Sequence, residues 1–287
     1  YGDLVELMNK LDTTFPGAVL GVNAVQDAKQ SQLADRWRSL FEFEKTNPLG
    51  LEPRSMIIRL AAWYQQALLS LAYHSEFWYD LAALLRLQGE WSKALQVLRN
   101  AVRTYLPKDL FLHLVMALQL EERSIDLSGQ AFNMMLDTVD APCPLGVIHY
   151  LWFLRRNKGI VEMRNKFMEI VKAGKHVSWQ VFSAMAQCEW HVARDVIIAK
   201  KTFLLGLKLC GENCPLRKPY IDFLLATEGV ESIQSFLKHS SQLPSGNSWI
   251  EWSKLEQQYG NLASAVQARK LFDPRNRADG SNQPSGG

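Results

Sequence analysis

Residues 37–44 read WRSLFEFE, and residues 249–256 read WIEWSKLE. Each stretch opens with Trp, carries a second aromatic residue one helical turn later and ends with Glu. Trp37, Phe41 and Glu44 stand at i, i+4 and i+7, which places them on one face of an α-helix. The stretch therefore predicts the first helix of a packed pair, whose aromatic face needs a neighbouring helix to cover it.

Similar helical stretches, each opened by an aromatic or large apolar residue, recur along the chain at intervals of 33 to 41 residues. A second amphipathic stretch with alanine at small positions follows each opener, and no strand pattern interrupts them. A period near 34 residues is typical of stacked helix pairs, in which each pair buries the apolar face of the next. We predict an all-α fold, a superhelical array of about seven stacked antiparallel helix pairs. The openers are Trp37, Trp78, Leu114, Val147, Phe182, Leu216 and Trp249.

Glutamate recurs at the seventh residue after several openers, as Glu44, Glu121, Glu189 and Glu256. These carboxylates stand one per repeat, too far apart in sequence for one catalytic site. We predict that each binds a backbone or basic group where helices meet. The residues predicted to form the repeat core are Trp37, Glu44, Trp78, Glu121, Phe182, Glu189, Tyr220, Trp249 and Glu256.

The chain divides into three parts by composition. Residues 1–35 are predicted to be the end of a preceding repeat and a linker, although the polar stretch over 22–35 also fits the solvated start of a helix. Residues 36–272 are predicted to be one C-terminal repeat domain. Residues 273–287 have no apolar period and are predicted to be a disordered tail. Because the chain begins without Met and ends in this Gly/Ser-rich tail, we expect it to be a segment of a longer protein.

Composition excludes several classes of protein. A net charge of +3 does not by itself require a nucleic-acid partner. The longest apolar stretch, 110–120, is too short to span a bilayer, which needs roughly 20 residues, so we expect no membrane association. The four cysteines form no disulfide framework and favour a reducing compartment. Cys210 and Cys214 could share a helix face, but no second pair of ligands accompanies them, so buried thiols are favoured over zinc.

Motifs for catalysis are absent from the sequence. No G-x-G dinucleotide fingerprint, H-E-x-x-H or G-x-S-x-G is present, and the Gly174-Lys175 pair has Glu169 where a phosphate loop needs glycine. We therefore predict no enzyme activity and no cofactor. Trp91 and Trp190, which lie near predicted turns, are the tryptophans best placed for surface contacts. Short basic clusters such as Arg155-Arg156 are expected to solvate helix surfaces, with direct RNA binding as the alternative.

The aromatic, aromatic and Glu pattern of Trp37–Glu44 and Trp249–Glu256 resembles the half-a-TPR (HAT) repeat of RNA-processing proteins. Further strings resemble the family of the seventy-seven-kilodalton subunit of cleavage stimulation factor, which includes the yeast Rna-fourteen homologue. The resemblance covers residues 37–272 and follows the family's order and spacing. The strings are Glu44–Leu49, His74–Tyr79, Tyr150–Arg156 with Gly159-Ile160, and Pro219–Leu224.

The resemblance implies a nuclear, non-enzymatic scaffold in pre-mRNA 3′-end cleavage and polyadenylation. It implies a homodimer that bridges a WD-repeat subunit, an RNA-binding subunit and the cleavage and polyadenylation specificity factor, with RNA contacted indirectly. The expected dimer contact lies between residues 179 and 272, and its candidate residues are Tyr220, Phe223, Phe236 and Trp252. A HAT-repeat scaffold of splicing or ribosome biogenesis and a direct RNA-binding module remain the alternatives.

Overall fold

The computed structural model describes residues 28–139, 143–211 and 215–239, together with Glu6, Lys254, Gln257, Gln258, Ala263 and Val266. Within these residues the protein is helical and contains no strand, which confirms the all-α prediction. The helices that lie in the three continuous ranges are α1 (Ala28–Lys45), α2 (Pro53–Leu68), α3 (Ser75–Leu87), α4 (Trp91–Asn100), α5 (Leu110–Glu121), α6 (Ile125–Thr138), α7 (Pro144–Asn157), α8 (Ile160–Ala173), α9 (Trp179–Gln187), α10 (Val196–Cys210), α11 (Arg217–Thr227) and α12 (Val230–His239).

Polar caps and prolines set where several helices begin. The side chains of Asp109, Ser124 and Asp195 accept hydrogen bonds from the third backbone N–H group after them and so cap α5, α6 and α10. Pro53 and Pro144 occupy the first turn of α2 and α7, where a missing backbone N–H costs nothing. Two helices continue into a π turn, Ala101–Tyr105 after α4 and Cys188–Val192 after α9.

A left-handed residue reverses the chain between the two helices of several pairs. Gly89, Gly159 and Gly229 have φ values of 80°, 96° and 84°, and they separate α3 from α4, α7 from α8 and α11 from α12. Glycine adopts this region without the steric cost that a Cβ atom brings. The tight reversal makes the two helices of a pair antiparallel neighbours.

The first compact unit ends at His176 and contains the pairs α1/α2, α3/α4, α5/α6 and α7/α8. Helices pack within each pair and also between successive pairs, through α2 with α3, α4 with α5, and α6 with α7. The buried aromatic rings follow these contacts. Phe41 stacks on Tyr64 at 3.9 Å between ring centroids, and Phe132 stacks on Tyr150 at 5.1 Å. Each pair therefore covers the apolar face of the next, as the repeat period predicts.

The second compact unit begins at Val177 and contains the pairs α9/α10 and α11/α12. Phe182, Phe203 and Phe223, one from each of the first three helices, are fully buried. The ring centroids of Phe203 and Phe223 lie 5.3 Å apart, so this unit also has a continuous aromatic core.

Six of the seven predicted pairs lie in the three continuous ranges, while the seventh, opened by Trp249, lies outside the described residues. Helix α1 begins at Ala28, so the polar stretch before residue 36 includes the solvated start of a helix. Leu33 and Ala34 in this stretch are buried. The division at His176 was not predicted, and the segments 1–5 and 267–287 also lie outside the described residues.

Candidate interaction surfaces

Glu44 lies at the carboxyl end of α1 and is bound by an arginine of α2. Arg59 donates two hydrogen bonds to it, from Nε to Oε2 and from Nη2 to Oε1, both at 2.8 Å. The Glu44 side chain is buried, whereas that of Arg59 reaches solvent. A bidentate pair of this kind fixes the angle between two planar groups. Glu44 therefore joins the two helices of the first pair.

Glu121 joins successive pairs. At the end of α5 it accepts hydrogen bonds from Arg156 Nη2 at 2.9 Å and from Asn157 Nδ2 at 2.7 Å, both at the end of α7. Burial raises the pKa of this carboxyl, but the bonds from Arg156 and Asn157 lower it more, so its pKa lies below the ordinary value.

The structure describes only one of the other two recurring carboxylates. Glu189 is the second residue of the π turn after α9 and is fully buried. Glu256 lies outside the described residues. Glu44 and Glu121 each bind a basic side chain on another helix.

The described tryptophans include both core and surface residues. Trp37 and Trp78 are buried, and Trp78 Nε1 donates a hydrogen bond of 2.7 Å to the carbonyl oxygen of Ala72. Trp91 is half-buried between two guanidinium groups: Arg86 Cζ lies 4.5 Å and Arg123 Cζ 4.8 Å from its ring centroid. These two contacts link α3, α4 and the segment that follows α5.

Trp190 is half-buried at the π turn, and its ring is nearly perpendicular to that of Phe223, with 5.3 Å between the centroids. It therefore contributes to packing in the second unit as well as to its surface. Trp249 and Trp252 lie outside the described residues.

The expectation that Tyr220 and Phe223 form a dimer contact needs correction. Both side chains are buried within their own unit, where Tyr220 lies 5.4 Å from Phe203 and 5.0 Å from Phe236 between ring centroids. Burial, with a smaller effect of Glu228, raises the pKa of Tyr220 to about 12. Phe236 is partly exposed and packs against Tyr220. The aromatic density of α11 thus fills the core between pairs.

A different surface of the second unit is apolar and exposed. Along α10 the side chains of Ile197, Lys201, Leu204 and Lys208 point to solvent, and these positions form one line on a helix. Ile197 is 69% and Leu204 45% exposed. We refer to these four residues as the α10 stripe. Helical periodicity does not reveal this surface, because the apolar residues of a stacked repeat are expected to face the core.

Several basic residues already have partners. Arg156 binds Glu121, Lys200 binds Glu228 at 2.5 Å, and Lys175 Nζ donates a hydrogen bond to the carbonyl oxygen of Leu136. The bond with Lys200 is the main cause that lowers the pKa of Glu228. These contacts reduce the positive charge that the basic clusters offer to a polyanion.

The cysteines of the described ranges show ordinary packing. Cys143 is buried, with its Sγ atom 3.5 Å from Nδ1 of His176, and burial raises the pKa of its thiol. His176 Nε2 lies 2.9 Å from the carbonyl oxygen of Leu136, so the imidazole joins the last turn of α6 to Cys143 before α7. Among the described residues no three His, Cys, Asp or Glu side chains gather as metal ligands, and Cys214 lies outside them. No helix found there is long and apolar enough to cross a bilayer.

Comparison with known proteins places these features in a family context. The model of the Suppressor of forked protein (Suf) family matches residues 1–275. Cleavage stimulation factor subunit 77 of Arabidopsis thaliana is 25% identical over 256 residues, which cover 88% of this chain and 34% of that protein. The mRNA 3′-end-processing protein RNA14 of Cryptococcus neoformans is 32% identical over 121 residues, 41% of this chain and 11% of that protein. This chain thus spans about a third or less of the length of these relatives.

Among solved structures, a crystal structure of CstF-77 is similar to this chain with a TM-score of 0.68 and 18% identity. The similarity covers 98% of this chain and 59% of the CstF-77 chain. At this identity the likeness establishes the fold alone, which is the array of helix pairs described above.

Proposed function

Because the chain belongs to the Suppressor of forked protein family, we propose that it is a scaffold segment of the nuclear machinery for pre-mRNA 3′-end cleavage and polyadenylation. Relatives named for 3′-end processing support this assignment. The contacts of the recurring carboxylates carry the proposal that the scaffold is not an enzyme. Glu44 and Glu121 each bind an arginine on another helix. A repeat array of this kind offers extended surfaces to partners.

The proposed partners are other subunits of the same machinery: a WD-repeat subunit, an RNA-binding subunit and the cleavage and polyadenylation specificity factor. RNA is then contacted through the RNA-binding subunit. The ion pairs of Arg156 and Lys200 support an indirect contact, since these charges are already partly neutralised.

The proposed scaffold is a homodimer, and the α10 stripe is its best described contact surface. Exposed Ile197 and Leu204 give the stripe apolar area that water covers in the monomer. A two-fold contact places the same patch of each copy against its twin, so offset apolar and lysine positions can interdigitate. Dimerisation would present each bound partner twice and raise avidity for paired sites.

Affinity purification of the full-length protein, tagged at its own locus, tests the assignment. We expect subunits of the cleavage and polyadenylation machinery to co-purify, and depletion of the protein to reduce 3′-end cleavage of a pre-mRNA substrate in nuclear extract. Recovery of splicing or ribosome-biogenesis complexes in their place, with normal cleavage, would contradict it.

Sedimentation equilibrium of the 32.7 kDa chain tests the dimer. We expect a dimer at micromolar concentration that dissociates when Ile197 and Leu204 are both replaced by Asp. Val161→Asp is the matched control, since Val161 is 62% exposed on α8 of the first unit. A wild-type chain that stays monomeric as its concentration rises would refute the dimer and leave the processing assignment to the purification experiment.

A further inference from the structure

The first helices of three successive pairs carry exposed apolar side chains in the first unit. Helix α5 packs against α3, α4, α6 and α7, so only one strip of its surface is left to solvent. Phe111, 48% exposed, and Leu118 lie seven residues apart on this strip, which places them on one side of the helix. Tyr79 of α3 is exposed beside them, and its ring centroid lies 5.2 Å from that of Phe111.

Contacts at both ends set the register of α5 against α7. Near the amino ends, a Cβ atom added to Gly146 would lie 3.0 Å from Leu110 Cδ1. At the carboxyl ends, Arg156 binds Glu121. The two helices therefore run side by side in the same direction, with equivalent residues 35 or 36 apart. Leu145 and Trp152, exposed on α7, stand at about the levels of Phe111 and Leu118.

These exposed residues form one surface, which we call the apolar face. Its members are Tyr79, Phe111, Leu118, Leu145 and Trp152. The face lacks charge over most of its length, because residues 110–120 and 144–154 contain no Asp, Glu, Lys or Arg. Soluble proteins rarely leave a contiguous apolar surface of this kind uncovered, and one with a polar border marks an interaction site.

Charged residues border the apolar face at the carboxyl ends of the same three helices. Glu122 receives a hydrogen bond from Arg86 at 3.3 Å, and Glu121 receives those of Arg156, so both acidic side chains are paired. Arg123 and Lys158 follow at the ends of α5 and α7 and are exposed. Arg123 also lies over the Trp91 ring, and neither residue has a described acidic partner. We call Arg86, Arg123, Arg156 and Lys158 the basic rim. Its four positive charges exceed the two negative charges of Glu121 and Glu122, so the border is basic overall.

We propose that the apolar face and the basic rim are one docking site, and that its occupant is a partner-protein segment with apolar or aromatic residues followed by acidic residues. The apolar side chains of such a segment would cover Phe111 and Trp152, whose exposed rings are the kind of anchor that dominates interface energetics. Its carboxylates would pair with Arg123 and Lys158, which are close enough to solvent to accept a partner. The inference rests on the proposed scaffold function and specifies the chemistry of one of its partners.

Selection of a phage-displayed library of random peptides on the 287-residue chain tests the site. We expect enriched peptides to combine Trp, Phe or Leu with Asp or Glu towards one end. The double variant Phe111→Ser and Trp152→Ser should weaken binding of an enriched peptide by about tenfold or more in fluorescence anisotropy. Val161→Ser, at an exposed apolar position on α8, is the matched control and should leave affinity unchanged.

The rim is tested by the double variant Arg123→Gln and Lys158→Gln, with Lys172→Gln on α8 as its control. We expect the rim variant to weaken binding and to flatten its salt dependence, because screening acts on the charge pairs. Equal thermal melting of all variants establishes that they remain folded. Arg123→Gln also removes the contact with Trp91, so a lower melting point of the rim variant would move that test to Lys158→Gln alone. If only the double variant Phe111→Ser and Trp152→Ser melted at a lower temperature, binding would be measured with Phe111→Leu and Trp152→Phe, which keep apolar side chains.

Several outcomes would overturn the docking site. They are enrichment of peptides without acidic residues, binding that survives both double variants, and no enrichment at all. Loss of the dimer in the Phe111 and Trp152 variant would assign the apolar face to a second copy of the chain. Tight binding of a single-stranded RNA that depends on the rim alone would assign the rim to RNA. None of these results bears on which complex co-purifies with the full-length protein, so failure of the site and failure of the processing assignment are distinguishable.

Discussion

Single carboxylates hold this array together to different degrees, and burial decides how much each contributes. The Glu44 side chain is only 4% exposed and receives both of its bonds from Arg59, whose own side chain is 30% exposed. Glu42, on the same helix, is 72% exposed and pairs with Lys45 three residues later. Water screens the second pair and competes for it, while the first carboxylate would be left buried without a partner.

We expect Glu44→Gln to lower the free energy of unfolding by about 1–3 kcal/mol, because the amide keeps one acceptor and loses the charge. The control Glu42→Gln should change it by less than about 0.5 kcal/mol. Urea titrations followed by circular dichroism measure both. Equal effects of the two substitutions would show that the bidentate contact does not stabilise the first pair.

The link between the third and fourth pairs should depend on pH. Since the pKa of Glu121 is lowered in the folded state, its ionised form stabilises the fold above the unfolded pKa of about 4.3, and this contribution is lost as the pH falls through the folded pKa. Arg156 is half exposed, so we expect only about 0.5–1 kcal/mol. Glu121→Gln should therefore be less stable than wild type at pH 7 and equally stable well below pH 4. Glu162→Gln, exposed on α8, is the control and should follow wild type throughout.

At the scale of the helix, two glycines in second helices show how neighbouring pairs limit what an element can contain. Gly129 in α6 leaves room, since an added Cβ atom would meet the Phe153 ring at 3.8 Å. Gly206 in α10 does not, because a Cβ atom would lie 2.5 Å from Leu216 Cδ2 and 2.7 Å from Phe182 Cγ. At the second position, α10 lies close to its partner α9 and to the residue before α11.

We expect Gly129→Ala to stabilise the protein by about 0.5–1 kcal/mol, the ordinary gain of alanine over glycine in a helix. Gly206→Ala should destabilise it by about 1–3 kcal/mol, because overpacking exceeds that gain. In thermal melts the two variants should shift the melting temperature in opposite directions. A stabilising Gly206→Ala would mean that Phe182 and Leu216 repack at no cost.

Helical periodicity could predict the first helices of the described pairs, because Trp37, Trp78 and Phe182 occupy positions that any stacked pair must bury. It could not predict the role of Tyr220 and Phe223. A high density of aromatic residues shows that a large apolar area must be buried, but not which neighbour buries it. Here Phe203 packs against Tyr220 and Phe223, and Phe236 packs against Tyr220. Periodicity could not predict the contact of Arg123 with Trp91 either, since Arg123 belongs to the next pair along the chain.

At the scale of the whole molecule, the division at His176 separates two cores that the repeat period alone cannot distinguish. Phe132 in α6 is fully buried in the first unit, and Phe203 in α10 is fully buried in the second. In a repeat array, stability is the sum of contributions within pairs and between neighbouring pairs. A substitution therefore destabilises most strongly the pair that contains it and the pairs next to it. A unit with its own core can then unfold while the other unit stays folded.

We expect Phe132→Leu and Phe203→Leu to destabilise different parts of the chain, each by about 1–2 kcal/mol. In hydrogen exchange followed by mass spectrometry, the first should reduce protection in peptides from 28–139, and the second in peptides from 179–211. Ile58→Leu, exposed on α2, is the control for substitution itself and should change neither. If both core variants lowered protection equally along the chain, the chain would unfold as one cooperative unit. The two compact units would then not differ in their free energies of unfolding.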